Sequence, residues 1–165
     1  MRKMSYAVAA MAVLLIALIY GSLFLTAAGG RDREGWIDYI EKICEERRIC
    51  PELVEALIAT ESSWDPHAIN GTCIGLMQID QVYHRERMQK LGATDLTDPY
   101  ENILVGVDFL EELFWEHEDP AAVLMYYNAG HSDWYGLGAW QNGDLSGYAQ
   151  RILERSAELE RAHGK

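Results

Sequence analysis

The sequence predicts a mainly α domain, and three observations carry the prediction. Apolar residues recur at three- and four-residue spacing in successive segments beyond residue 35. Asp98-Pro99 and Asp119-Pro120 stand directly before two of those segments, where a helix start requires a cap and tolerates proline. Gly92 and Gly130 follow two of them, where a helix finds its stop.

Taken in order, Trp36, Ile37, Ile40, Ile43 and Cys44 share one face of a first helix that ends near Arg48. Pro51 opens a second helix that runs to about Ser62. Residues 64–74 are irregular, with Asp65-Pro66 and Asn70-Gly71 as turn signals. A small β element fits there, but the pattern does not require one. Leu76 to about Leu91 reads as a third helix. Asp98 is placed to cap a fourth, with Glu101 three residues on to complete a capping box. That helix turns Ile103, Leu104, Val107, Leu110, Leu113 and Phe114 inward and ends near Glu118. A short fifth helix reaches Ala129. The stretch "HSDWYGLGAWQNGDLSG", residues 131–147, reads as a long surface loop before a last helix from Tyr148 to about His163.

The N-terminus is of another kind. No charged residue lies between Met4 and Gly30, and a helix over its nearly all apolar part, Ala7 to Ala28, spans about 30 Å, enough to cross a bilayer. An uncleaved signal-anchor over residues 4–28 is expected. Cleavage near Thr26-Ala27-Ala28 is the competing reading, although its apolar region would ordinarily be shorter. Arg2 and Lys3 precede the span, whereas Arg31 and Arg33 are offset by Asp32 and Glu34. The positive-inside rule then puts residues 1–3 in the cytoplasm and the domain, residues 35–165, outside the membrane behind a linker at 29–34.

Of 14 basic side chains, Arg2 and Lys3 fall before the span, which leaves 12 against 26 acidic ones, a formal −14. So acidic a domain, with no basic stripe, is a poor nucleic-acid binder and gains no long-range attraction to an anionic surface. Tethering would have to keep it near one. Cys44, Cys50 and Cys73 allow one disulfide in an oxidising exterior: Cys44–Cys50, Cys50–Cys73, or three thiols left reduced. Neither these cysteines nor the five scattered histidines have a metal-ligand spacing, so no metal site is expected.

One residue on the second helix does not fit a purely structural pattern. Val54, Leu57, Ile58 and Glu61 share a stripe that should enter the core. A carboxyl stripped of water there has its charged form disfavoured and its pKa raised. Alternatively, the helix ends at Ser62 and Glu61 emerges into solvent. From the helix alone both readings stay open.

Glu61-Ser62, then Pro66 and Ala68, then Gly75-Leu76-Met77-Gln78-Ile79, then Asn102, Gly106 and Leu110, then Tyr127-Asn128-Ala129-Gly130, then Tyr148 form an ordered series. Across residues 35–155 it resembles the soluble lytic transglycosylase (SLT) domains of the goose-type lysozyme-like superfamily. The resemblance implies an α+β lysozyme-like fold, mainly α, with Glu61 as the one catalytic acid and no cofactor. It implies peptidoglycan glycan strands as substrate, cut between N-acetylmuramic acid and N-acetylglucosamine to leave 1,6-anhydromuramoyl ends. Gln78, Asn128, Tyr127 and Tyr148 are then expected to meet substrate or Glu61, with Met77 shaping the groove. Trp134 and Trp140 are candidate faces for sugar rings, or partners of the last helix. Asp80 departs from the pattern, since relatives often carry an uncharged residue there. Facing the cleft, Asp80 would serve as a second carboxylate and turn the reaction toward hydrolysis, as would Asp65. Otherwise Asp80 is a helix-start or surface residue. A weakly active wall-binding module of a secretion complex is the reading from a different class, and secretion or wall machinery are the partners it would imply.

Overall fold

The computed structural model describes residues 32–129 and 146–165. The chain divides into two units, Met1–Trp36 and Ile37–Lys165. The expected anchor, residues 4–28, and the loop tryptophans Trp134 and Trp140 lie outside the described residues. Among the described residues no helix is long and apolar enough to cross a membrane.

The first helix, α1, covers residues 32–47, so the last residues of the expected linker are already helical. Ile40, Ile43 and Cys44 are its buried stripe. It stops where Arg48 takes a left-handed φ of 58° and Ile49 N–H donates back to the Cys44 carbonyl at 3.0 Å. Helix α2, Pro51–Glu61, follows within three residues and buries Leu53, Val54, Ala56, Leu57 and Ile58. Buried Glu52 in its first turn accepts from Lys165 Nζ at 2.7 Å and contacts His163 Nδ1 at 3.0 Å. Burial alone would raise its pKa, but these partners outweigh it and hold the carboxyl down at about 2.

Between α2 and the next helix, three two-residue strands form an antiparallel sheet in the order β1 (Ile69–Asn70), β2 (Cys73–Ile74) and β3 (Ile79–Asp80). Asn70-Gly71 makes the first turn, with Gly71 at φ 63°. The expected third helix is therefore too long. Leu76 to His84 is taken up by the hairpin and its exit, and α3 is only Arg85–Leu91. Two positive φ values, 79° at Gly75 and 50° at Gln78, bend the chain between β2 and β3 where a helix would have run straight.

Helix α4, Pro99–Glu116, begins as its sequence requires: Asp98 accepts from Tyr100 N–H at 2.9 Å and Glu101 N–H at 3.0 Å. Glu101 does not reach back to Asp98. It takes the amides of Thr94 (2.5 Å) and Asp95 (2.7 Å) and so pins the preceding loop. Ile103, Val107, Leu110 and Leu113 are buried as expected, whereas Leu104 and Phe114 are half-buried. Helices α5 (Pro120–Ala129) and α6 (Gly147–Ala162) complete the described chain. α6 packs on α2 and on α5, and α5 packs on α4.

No disulfide forms: all three cysteines are free. Cys44 is buried, and that burial, with Cys50 nearby, pushes its thiol up to about 12. The Cys50 thiol donates to the Glu52 carboxylate at 3.3 Å and to Glu160 at 3.6 Å. Cys73 lies in β2, paired across the sheet with Asp80.

The hairpin is seated on α4 through two residues. Asn102, fully buried, accepts from Met77 N–H at 2.8 Å and donates to the carbonyls of Ile74 (2.8 Å) and Leu96 (2.9 Å). Gly106 leaves room for the Met77 side chain, whose sulfur and methyl a Cβ there would overlap. Replacing Asn102 with Ala strands one amide and two carbonyls in the interior. Its expected cost is about 3 kcal/mol, measured as a lower urea midpoint; a midpoint unchanged from the parent chain would contradict this seating.

Candidate active site

A cleft of about 370 Å³ opens between the end of α2, the sheet, the middle of α4 and the end of α5. Glu61 enters it from the last turn of α2. Ser62 closes that helix, with its N–H donating to the Ile58 carbonyl at 3.1 Å and its hydroxyl to the same oxygen at 3.2 Å. The chain then turns sharply through Ser63 (φ 53°) and Trp64 (φ 69°), two non-glycine residues in the left-handed region. Glu61 is thus held at the end of a rigid element, half-buried at the cleft wall. The helix does end here, as the second reading had it, but the carboxyl stays partly shielded at the cleft wall and does not emerge fully into solvent.

The Tyr148 hydroxyl donates to Glu61 Oε1 from α6. Burial raises the Glu61 pKa, the Tyr148 hydrogen bond opposes the rise, and the net shift is upward. Burial, and then the neighbouring carboxyl, push the Tyr148 phenol far above its ordinary range, so it remains a donor. Tyr127 lines the cleft, but its hydroxyl goes elsewhere: it donates to the Met77 carbonyl at 2.7 Å, and its ring lies 5.3 Å from Phe109. Only Tyr148 of the two expected phenols meets the acid.

The remaining expected site residues divide clearly. Asn128 is exposed on the cleft wall. Gln78 lines it too, but its amide nitrogen is committed to the carbonyls of Gly75 (2.9 Å) and Ala68 (3.1 Å), which leaves its oxygen as the group facing a ligand. Met77 is fully buried on Gly106 and meets no ligand; it shapes the floor from below. Asp80 lines the cleft with both oxygens engaged. Oδ1 accepts from Val82 N–H (2.8 Å) and Tyr83 N–H (3.1 Å), and Oδ2 from the Thr72 hydroxyl (2.8 Å). Asp65 lies in the turn after α2, where it accepts from His67 N–H at 2.9 Å. It does not line the cleft.

Sequence reasoning missed His84 and Phe109, which line the cleft together with Cys73 of β2, in the segment before Gly75. His84 is buried, and burial followed by the Arg87 guanidinium lowers its pKa to about 4. No spacing rule marks it. Its place depends on the unexpectedly late start of α3, after the hairpin and its exit.

The raised Glu61 pKa has a consequence for stability. Where the folded pKa exceeds the unfolded one, the native state binds more protons, and stability falls as pH rises from the unfolded value through the folded one. Replacing Glu61 with Gln removes that loss. In urea unfolding, Glu61→Gln is expected to be more stable than the parent chain near pH 7, with the gap closing below about pH 4.5, the ordinary glutamate range. A gap that widened on acidification would contradict the burial of Glu61.

Comparison with known proteins bears on this geometry. The family model described as the transglycosylase SLT domain matches residues 38–139. A membrane-bound lytic murein transglycosylase F from Desulfosudis oleivorans is 35% identical over 101 residues, covering 59% of this chain and 21% of that protein. A transglycosylase of Enterobacteria phage PRD1 is 30% identical over 96 residues, covering 58% of this chain and 35% of that protein. The chain thus matches only a minor part of the length of these relatives. The crystal structure of the 70 kDa soluble lytic transglycosylase of Escherichia coli superposes with a TM-score of 0.66 at 20% identity. It covers 78% of this chain and 24% of that one, a likeness of fold. With the match spanning most of residues 37–165, the chain belongs to the transglycosylase SLT domain family.

Proposed function

We propose that the chain is a peptidoglycan lytic transglycosylase that cleaves the bond between N-acetylmuramic acid and N-acetylglucosamine with Glu61 as its single acid and base. The observation that carries this reading is the pairing of Glu61 with Tyr148 at a cleft whose other described carboxylate, Asp80, is tied to backbone amides and Thr72. Family membership and the names of the relatives support it.

Burial favours the protonated form of Glu61, from which the reaction starts. Tyr148 occupies Oε1, so Oε2 is left to carry the proton to the glycosidic oxygen. As the C1–O bond breaks, the leaving N-acetylglucosamine takes that proton, and positive charge grows on the muramoyl C1 and ring oxygen. Glu61 is now an anion, and the same phenol stabilises it by its hydrogen bond. It then accepts the proton of the muramoyl O6 hydroxyl as O6 bonds to C1, which closes the 1,6-anhydro ring. No water enters the balance. The internal hydroxyl acts at high effective concentration, so no second carboxylate is needed to position a nucleophile. Asn128 and the oxygen of Gln78 are among the polar groups offered to sugar substituents.

Residues 4–28 are proposed as the anchor that holds residues 35–165 outside the cytoplasmic membrane. Their uncharged run supports this, and one relative is named as membrane-bound. The full chain is expected to remain in carbonate-washed membranes and a chain lacking residues 1–30 to be released. Release of both would refute the anchor.

Mass spectrometry of digested wall tests the chemistry. The expected fragments end in anhydromuramoyl groups, about 18 Da lighter than reducing ends through the loss of one water. Glu61→Gln is expected to lower cleavage at least about 100-fold, the scale of a removed general acid, while Asp80→Asn keeps the anhydro product. Reducing ends that vanish with Asp80→Asn would favour hydrolysis instead, and an intact wall after digestion would favour the binding module.

A further inference from the structure

The cleft carries a second built arrangement, which uses none of the residues assigned to proton transfer. His84 sits just before α3, its ring 4.7 Å from Tyr83 and 4.5 Å from Phe109. Its Nδ1 accepts from Arg87 Nε at 3.3 Å. A ring nitrogen that accepts holds no proton, so the hydrogen of the neutral imidazole resides on Nε2. The two ring nitrogens point to nearly opposite sides. With Nδ1 turned to α3, Nε2 is the ring nitrogen left free for the cleft that His84 lines together with Glu61.

Arg87 is itself held. Its guanidinium bonds Asp108, and it bonds Glu112 at 2.6 Å. Asp108 is buried on α4 and receives a second guanidinium, Arg47 of α1, at 3.2 Å. A carboxylate withdrawn from water between two arginines gains little net stability over apolar packing of the same volume. Such a cluster is better explained by what it orients, and what it orients is one imidazole at the cleft wall. The shielding of the ring, and then Arg87, keep it uncharged at neutral pH, despite Asp80, Glu112 and Asp108 nearby.

We propose that His84 is a substrate-positioning residue, a neutral imidazole whose Nε2–H, aimed by Arg87, donates a hydrogen bond to an uncharged oxygen of the bound glycan strand. The proposal rests on the cleft being the glycan site. An uncharged donor suits an acetamido carbonyl or a hydroxyl, whereas an anionic group would find no lysine or arginine among the described lining residues and would meet Asp80 and Glu61.

The test is binding of a peptidoglycan tetrasaccharide to the full chain in detergent micelles, carried as Glu61→Gln so that the ligand persists. Adding His84→Phe keeps the packing on Phe109 and removes the donor. Affinity is expected to fall about tenfold, the scale of one hydrogen bond. His84→Gln, which can still donate, recovers part of that loss. In the otherwise wild-type chain the His84→Phe effect falls mainly on KM. Ring 15N NMR reports without a change at His84: the proton is expected on Nε2, its signal moves as the tetrasaccharide is added, and Arg87→Met lets the other tautomer appear. A proton on Nδ1, or equal affinity with Phe at position 84, would overturn the proposal. No binding of the tetrasaccharide at all would overturn the glycan site beneath it. Cleavage that survived Glu61→Gln would instead reject the role of Glu61 and leave the binding result to decide for His84.

Discussion

Glu61 is caught between loss of water, which favours its neutral form, and one phenol hydrogen bond, which favours its charged form. The rest of the site follows from keeping that balance. Helix α2 brings the carboxyl to the cleft at its final turn, where Ser62 ends the helix and two left-handed residues carry the chain away. Helix α6 brings Tyr148 to the same oxygen from far along the chain. The packing of α6 on α2 fixes the distance between acid and phenol. An acid tuned this way can give a proton and then survive as an anion without leaving its place.

The cleft floor depends on α4 in the same manner. Asn102 spends two of its three side-chain bonds on the hairpin backbone and the third on the Leu96 carbonyl before α4, and Gly106 yields its side-chain space to Met77. The Met77 carbonyl in turn holds Tyr127, whose ring continues the wall through Phe109 to His84. Polar bonds below and aromatic contacts along the side thus form one connected support. Buried amides satisfied this fully permit few alternative arrangements, which is what a short three-stranded sheet without a core of its own requires.

Much of this was legible in the sequence because local rules and tertiary structure agreed. The Asp98 cap, the proline at the start of α2 and the apolar stripes of α2 and α4 each have a short-range cause. Glu61 stood out because it broke such a stripe. The hairpin exit was not legible, since Leu76, Met77 and Ile79 suit a helix period as well as a buried turn. The residue that decides the matter, Gln78, adopts a positive φ without being glycine. Asp80 could be read two ways until its amide partners were seen. His84 gave no signal, because its orientation is set by Arg87 and by Asp108 a full helix away. The cysteine count permitted a bridge, yet the Cys50 thiol turns to carboxylates.

The central claim is that the fold makes position 61 hold its proton more tightly than water would allow. Carboxyl 13C NMR of glutamate-labelled protein, with Glu61 assigned by its loss in Glu61→Gln, reads this directly. A Glu61 midpoint above that of the exposed glutamates is the predicted result. A midpoint level with theirs, or below it, would contradict the account.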